Sequence, residues 1–154
     1  MNKELPDVIK QYIENDRRPV AKGYIRFLSA ESSDKMRGIL GGVEMWNGGV
    51  PFATTVFGEI LSWEDGYVVL YDFSQQDYNV ILSGINHFFS NIEDGEYQKD
   101  TFDIQIYEEA MENIGEVKEN ECYAVEPIPL LGGKRELRYL HITNLLEYLQ
   151  MLVA

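Results

Sequence analysis

Nucleophilic or metal chemistry in this chain would have to run through very few side chains: His87, His141 and Cys122 are its only imidazoles and its only thiol. A metal site wants clustered His, Cys and carboxylate ligands. Neither histidine lies at a short ligand spacing from the other or from Cys122, so no metal site is expected. A Cys–His hydrolase needs a thiol whose pKa is lowered by a histidine or a helix start. Cys122 instead sits in the run ENECYAVEP, where flanking carboxylates raise a thiol's pKa. It reads as a structural, buried residue, and His87, beside Phe88, as a partly exposed structural one. Carboxylates abound (Glu64, Asp65, Asp72, Asp77, Glu93, Asp94), but no pair stands out for acid–base work, and they read as solvated charge. The run Glu93-Asp94-Gly95-Glu96 does not follow the twelve-residue calcium loop and reads as a turn. Gly41-Gly42, Gly48-Gly49 and Gly132-Gly133 form no phosphate-cradling motif. Only Gly132-Gly133-Lys134-Arg135 joins glycines to bases, where a small anion could sit.

Charge is the outlier of the composition. Twenty-six acids against thirteen Lys and Arg give a net charge of −13 over 154 residues. The excess is concentrated: residues 59–126 hold seventeen acids and only Lys99 and Lys118 as bases. Such a balance argues against nucleic acid and anionic membranes as direct ligands, because both need Lys and Arg, and favours basic partners or plain solubility. A single cysteine allows no internal disulfide and fits a reducing compartment. The first residues lack a secretion-type apolar run, and no stretch approaches the roughly 20 apolar residues of a membrane span. A cytoplasmic protein is expected, without a cofactor.

The elements that must position these residues follow from periodicity. Val8, Ile9, Tyr12 and Ile13 give a helix over 5–15, broken at Arg17-Arg18-Pro19. Residues 20–29 are compatible with a strand or a short helix. Ser32, Ser33 and Asp34 suit the cap of a short helix at 34–40. A β-meander follows: 52–57, 59–64, then the hairpin signal Asp65-Gly66, then the strand YVVLYDF over 67–73, then 78–82. Alternation places Tyr67, Val69, Tyr71 and Phe73 on one face and Val68, Leu70 and Asp72 on the other, so both faces carry apolar residues. Ser83 suits the cap of a helix carrying Ile85, Phe88, Phe89 and Ile92, and a second helix runs from Thr101 to before Gly115. Residues 121–125 read as a short strand. Thr143 opens a final helix with Leu145, Leu146, Leu149 and Leu152 inward. The expected fold is α+β: a single domain with an antiparallel sheet of four to six strands and helices packed against it.

Two separated runs carry a family resemblance. Pro51-Phe52-Ala53-Thr54-Thr55-Val56-Phe57-Gly58-Glu59-Ile60, with Trp63 and the YVVLYDF strand, resembles the middle of proteins with a GAD-like N-terminal part and a C-terminal domain of unknown function. Glu121-Cys122-Tyr123 with Pro127, Leu130, Leu131, Gly132 and Gly133 resembles their C-terminal signature. The resemblance covers residues 50–154, read as an immunity-family C-terminal domain. Residues 1–49 are read as a helical, GAD-like remnant covering the sheet. The family includes immunity proteins that neutralise DNase toxins delivered by type VI secretion. The resemblance therefore implies a non-enzymatic protein that binds and blocks a cognate toxin.

The signature residues Phe52, Phe57, Trp63 and Tyr123 are expected in the core, with Gly58, Gly132 and Gly133 shaping the backbone. The candidate toxin-facing residues are the exposed acids Glu64, Asp65, Asp72, Asp77, Glu93, Asp94 and Glu96. Two other readings stand beside this one. A small-ligand or regulatory module predicts an internal pocket near Gly132-Gly133 and Lys134. A hydrolase predicts converging carboxylates or a Cys122–His pair. The sequence leaves the oligomeric state open.

Overall fold

The computed structural model describes residues 4–154. The chain runs α1 (Asp7–Asn15), β1 (Ile25–Phe27), α2 (Ala30–Leu40), β2 (Val50–Thr55), β3 (Ile60–Glu64), β4 (Tyr67–Asp72) and β5 (Asp77–Ser83), then α3 (Phe88–Ile92), α4 (Gly95–Thr101), α5 (Ile104–Asn113), β6 (Glu121–Val125), β7 (Leu140–Asn144) and α6 (Leu145–Val153). Strands β1 to β5 form one antiparallel sheet in sequence order, and β6 and β7 form a second, two-stranded sheet. This is the expected α+β class with its meander. Residues 4–49 contribute two α-helices and also the edge strand β1, which pairs Ile25 with Thr55 and Phe27 with Ala53.

Both faces of β4 are covered from Val68 to Tyr71, as its apolar alternation requires. Val68 and Leu70 join Phe27, Phe52, Phe88 and Tyr123 in one core cluster. Val69, Tyr71 and Phe73 join Met36, Leu40, Leu145, Tyr148 and Leu149 in a second. Strand β6 is shared between the two, with Tyr123 and Val125 in the first and Cys122 and Ala124 in the second. Each fully buried side chain of this size contributes about 1.5–3 kcal/mol by leaving water. A backbone bond from Tyr123 N–H to the Val56 carbonyl, 2.7 Å, ties the second sheet to the first.

Several boundaries differ from the periodicity reading. Helix α2 starts earlier, because Ser29 caps it by accepting from the Ser32 N–H at 3.1 Å. Ser83 ends β5 instead of capping a helix, and α3 begins after His87. Asp94 is a helix cap: its carboxylate accepts from the Tyr97 N–H at 3.1 Å and opens α4, a helix that Gly95 had disguised as a turn. Thr101 closes α4, and α5 starts at Ile104. Thr143 lies in β7, and Asn144 caps α6 through the Glu147 N–H at 3.0 Å. The buried side of α6 is Leu145, Tyr148 and Leu149, with Leu146 and Leu152 only partly covered.

Candidate functional site

The seven acids named from the sequence fall into two groups. Glu64, Asp65, Asp72 and Asp77 surround β3, β4 and β5. Glu64 ends β3 and accepts from the Tyr71 hydroxyl, 2.9 and 2.8 Å from its two oxygens. Asp65, with φ 50°, and Gly66, with φ 88°, are the two left-handed residues of the tight β3–β4 turn. Asp72 and Asp77 are directly opposed in register at the far end of the β4–β5 pair. The Asp77 carboxylate accepts from the Tyr78 N–H at 2.8 Å. Glu93, Asp94 and Glu96 lie around the α3–α4 junction, all exposed. Glu93 accepts from the Ala21 N–H at 2.6 Å, Asp94 is the α4 cap, and Glu96 sits in the first turn of α4, where negative charge suits the helix dipole.

Asp72 differs from the rest in being turned inward. One of its oxygens accepts from the Ser74 backbone N–H (3.1 Å) and hydroxyl (2.6 Å), and the other lies 2.9 Å from Arg135. Arg135 is the centre of a network the sequence did not disclose. Its guanidinium lies 2.6 Å from Asp103 and 3.7 Å from Glu59, and sits over the Phe57 ring, 4.7 Å from the centroid. The Glu59 carboxylate accepts from the Thr55 hydroxyl (2.9 Å) and the Tyr24 hydroxyl (3.2 Å). Tyr24 in turn accepts from the Asp103 N–H at 3.3 Å.

Burial alone would lower the pKa of Arg135, but Glu59 and Asp72 outweigh it and hold the guanidinium firmly charged. Burial pushes the Glu59 carboxyl up from its ordinary value, with Arg135 pulling the other way. The structure gives Gly132–Arg135, where a small anion could sit, a different role. Arg135 faces carboxylates instead, and a side chain on Gly133 would meet the Pro127 carbonyl oxygen at 1.6 Å.

Among the signature residues, Phe52, Phe57 and Tyr123 are buried and Trp63 is half-buried. The Pro51 carbonyl accepts from the Ser33 hydroxyl at 2.6 Å. Gly58 and Gly132 take left-handed φ of 80° and 103°, and the Glu126–Pro127 bond is cis. Cys122 is fully buried, and burial pushes its thiol pKa up to about 12, so it stays protonated and weakly nucleophilic. It opposes Thr143 across the strand pair, while His141 is exposed and turns to Glu126, 3.4 Å away. Cys122 and His141 are therefore not assembled as a nucleophile and base. Among the described residues no group of three or more His, Cys, Asp or Glu is placed to hold a metal ion, and no helix is long and apolar enough to cross a membrane.

A second basic residue is buried elsewhere. Arg26 on β1 donates to the backbone carbonyls of Lys118 (3.1 Å) and Glu121 (2.5 Å), and burial pulls its pKa down. Two cavities, of about 560 and 640 Å³, share Arg17, Arg26, Phe27 and Glu119 in their walls. The Arg17–Glu119 ion pair, 3.2 Å, stands where they adjoin.

With this geometry in place, comparison with known proteins gives three results. None of the curated proteins matches the chain. The fold is similar to that in the "Crystal structure of Atu4351 from Agrobacterium tumefaciens", with a TM-score of 0.72 and 16% sequence identity, over 97% of this chain and 75% of that one. Residues 82–154, from the end of β5 to the C-terminal residue, match the family model described as "T6SS immunity protein Tdi1, C-terminal", so this stretch is similar to type VI secretion immunity proteins.

Proposed function

We propose that this chain is an immunity protein of the type VI secretion class, which binds and neutralises a cognate toxin in the cytoplasm of the cell that makes it. The match of residues 82–154 to an immunity family carries this reading. The charge adds the character of the partner. Seventeen acids over residues 59–126 suit a basic toxin, nuclease-like in presenting a cationic surface to its own polyanionic substrate. Neutralisation works by occupancy of that surface, without turnover. Residues 50–154 carry the recognition part, and the described residues before them, 4–49, complete and cover the sheet.

The test is protection. The toxin gene should lie directly beside the gene for this chain. Co-production of the two proteins in a heterologous bacterium should restore growth, and the purified proteins should form a stable complex that weakens as salt rises. A neighbouring toxin that stays active and unbound in the presence of this protein overturns the reading.

A second reading has one observation in its favour: the Nε of Arg26 is buried without a hydrogen-bond partner beside the two cavities. A small anionic ligand held between Arg17 and Arg26 would make the chain a ligand-binding module. A rise in melting temperature with millimolar phosphate or citrate, lost in Arg17→Gln, would favour it over the immunity reading.

A further inference from the structure

The immunity reading leaves open which part of an acidic protein touches the partner, and the outer end of the large sheet answers that more sharply than charge does. Among the described residues, strand β5 is an edge strand, paired only with β4. Tyr78 lies opposite Tyr71 and Val80 opposite Val69, so both project from the face that Val69, Tyr71 and Phe73 bury in the second core. Helices α2 and α6 supply the cover for that core. At β5 the cover has run out: Tyr78 is 47% exposed and Val80 57%. Tyr67, two residues before Val69 on the same face, is 46% exposed. The Tyr78 ring leans on Tyr71 with centroids 5.6 Å apart, and Tyr71 is held by Glu64, so the exposed ring stands on a fixed base.

The surroundings specify the occupant. Glu64 and Asp65 flank the patch at its Tyr67 end, and no Lys or Arg occurs in the chain between Arg37 and Lys99. A second copy of the chain would bring carboxylates against carboxylates, and nucleic acid or an anionic bilayer would be repelled. A cationic protein surface with a central apolar side chain fits, since rigid aromatics ringed by polar residues are the usual energetic centre of an interface. The edge itself is partly used up: the Tyr78 N–H is held by Asp77, and the Ile81 carbonyl accepts from the Tyr97 hydroxyl at 2.6 Å. Contact is therefore through the side-chain face and does not require strand addition.

We infer that the Tyr67–Tyr78–Val80 face of β4 and β5, with Glu64 and Asp65 at its rim, is the docking surface for the cationic face of the toxin. This rests on the immunity reading and narrows it. The α3–α4 acids Glu93, Asp94 and Glu96 then lie outside the contact.

The probe is the toxin domain encoded beside the gene, made catalytically inactive and titrated against the full chain. Val80→Asn and Tyr67→Ser, both at exposed positions that leave the Tyr71–Tyr78 ring contact intact, should together weaken binding by at least about thirtyfold. Asp65→Asn should slow association severalfold and flatten its salt dependence. Val8→Ser, a comparably exposed position on α1, is the control and should change affinity less than about twofold, as a substitution outside the interface does. Binding unchanged by the β4–β5 substitutions overturns the docking surface and leaves the immunity reading standing. A wild-type chain that does not bind overturns both. A wild-type dimer that Val80→Asn dissociates overturns the toxin as occupant in favour of a second copy.

Discussion

The guanidinium of Arg135 lies 2.9 Å from the carboxylate of Asp72, joining residues 63 positions apart in the chain. The contact pins the loop between β6 and β7 onto the end of β4. It works only because Arg135 also meets Glu59 and Asp103 and lies over the Phe57 ring.

Truncating that side chain should be costly. Arg135→Ala strands the Glu59 and Asp72 carboxylates, whose side chains are only 9% and 16% exposed. Removing one partner of a buried ionic cluster costs about 3–5 kcal/mol. At about 2–4 °C per kcal/mol for a chain of this size, the melting temperature should fall on the order of 10 °C. Calorimetry checks this; a fall of only a degree or two would mean the cluster is solvated in solution.

Glu59 supplies the opposite kind of test. Its carboxyl is raised by burial, with Arg135 opposing. A carboxyl raised in the folded state binds its proton more tightly there than in the unfolded chain. Its stabilising contribution is therefore full below the unfolded pKa of about 4.3 and is lost as pH rises through the folded value. Glu59→Gln keeps an oxygen to accept from Thr55 and Tyr24 but cannot ionise. Urea unfolding from pH 4 to pH 8 should show the variant gaining on the wild type as pH rises. A difference that stays constant over that range would return Glu59 to the ordinary carboxylate value.

The two glycines before Lys134 should respond unequally. Gly132 has a left-handed φ of 103°, but nothing lies within 4 Å of where a methyl group would sit, so Gly132→Ala should cost about 1 kcal/mol of backbone strain. Gly133 has no such φ, yet its added carbon would lie 1.6 Å from the Pro127 oxygen and 2.8 Å from a Val125 methyl. Gly133→Ala must displace backbone and should cost more than about 3 kcal/mol. Chemical denaturation of the two variants gives the order, and equal losses would refute it.

Cys122 should be silent toward thiol reagents. It is fully buried with its pKa pushed up to about 12. At pH 8 the native protein should release no chromophore from an aromatic disulfide reagent over an hour, and one equivalent once unfolded in guanidinium. Rapid native labelling would show that β6 opens locally.

What the sequence made legible was the part governed by local rules. The β4 run YVVLYDF alternates so cleanly that its letters alone assign both faces, and the two core clusters divide it the same way. Asp65-Gly66 announced its turn. Boundaries failed where a cap resembled a breaker: Asp94-Gly95 reads as a helix end and is a helix start, and Thr143, a good cap residue, pairs with Cys122 in a strand. The Arg135 cluster was beyond reach for a different reason. Glu59, Asp72, Asp103 and Arg135 lie far apart in the chain, and nothing in their spacing signals that tertiary packing joins them. The one hint was Glu59, an acid set in an otherwise apolar, β-prone run. Among the candidate acids, only packing could reveal that Asp72 is occupied internally while Asp65 and Asp77 remain exposed.

The segment that matches the immunity family begins at residue 82 and includes Arg135, yet Glu59, Asp72 and the Phe57 ring all lie upstream of it. A chimera that grafts this segment onto an unrelated N-terminal half would inherit a desolvated cation with only the half-exposed Asp103 beside it, and leave its two buried counter-ions behind. Shuffling between relatives should therefore succeed only when positions 57, 59 and 72 travel with the graft.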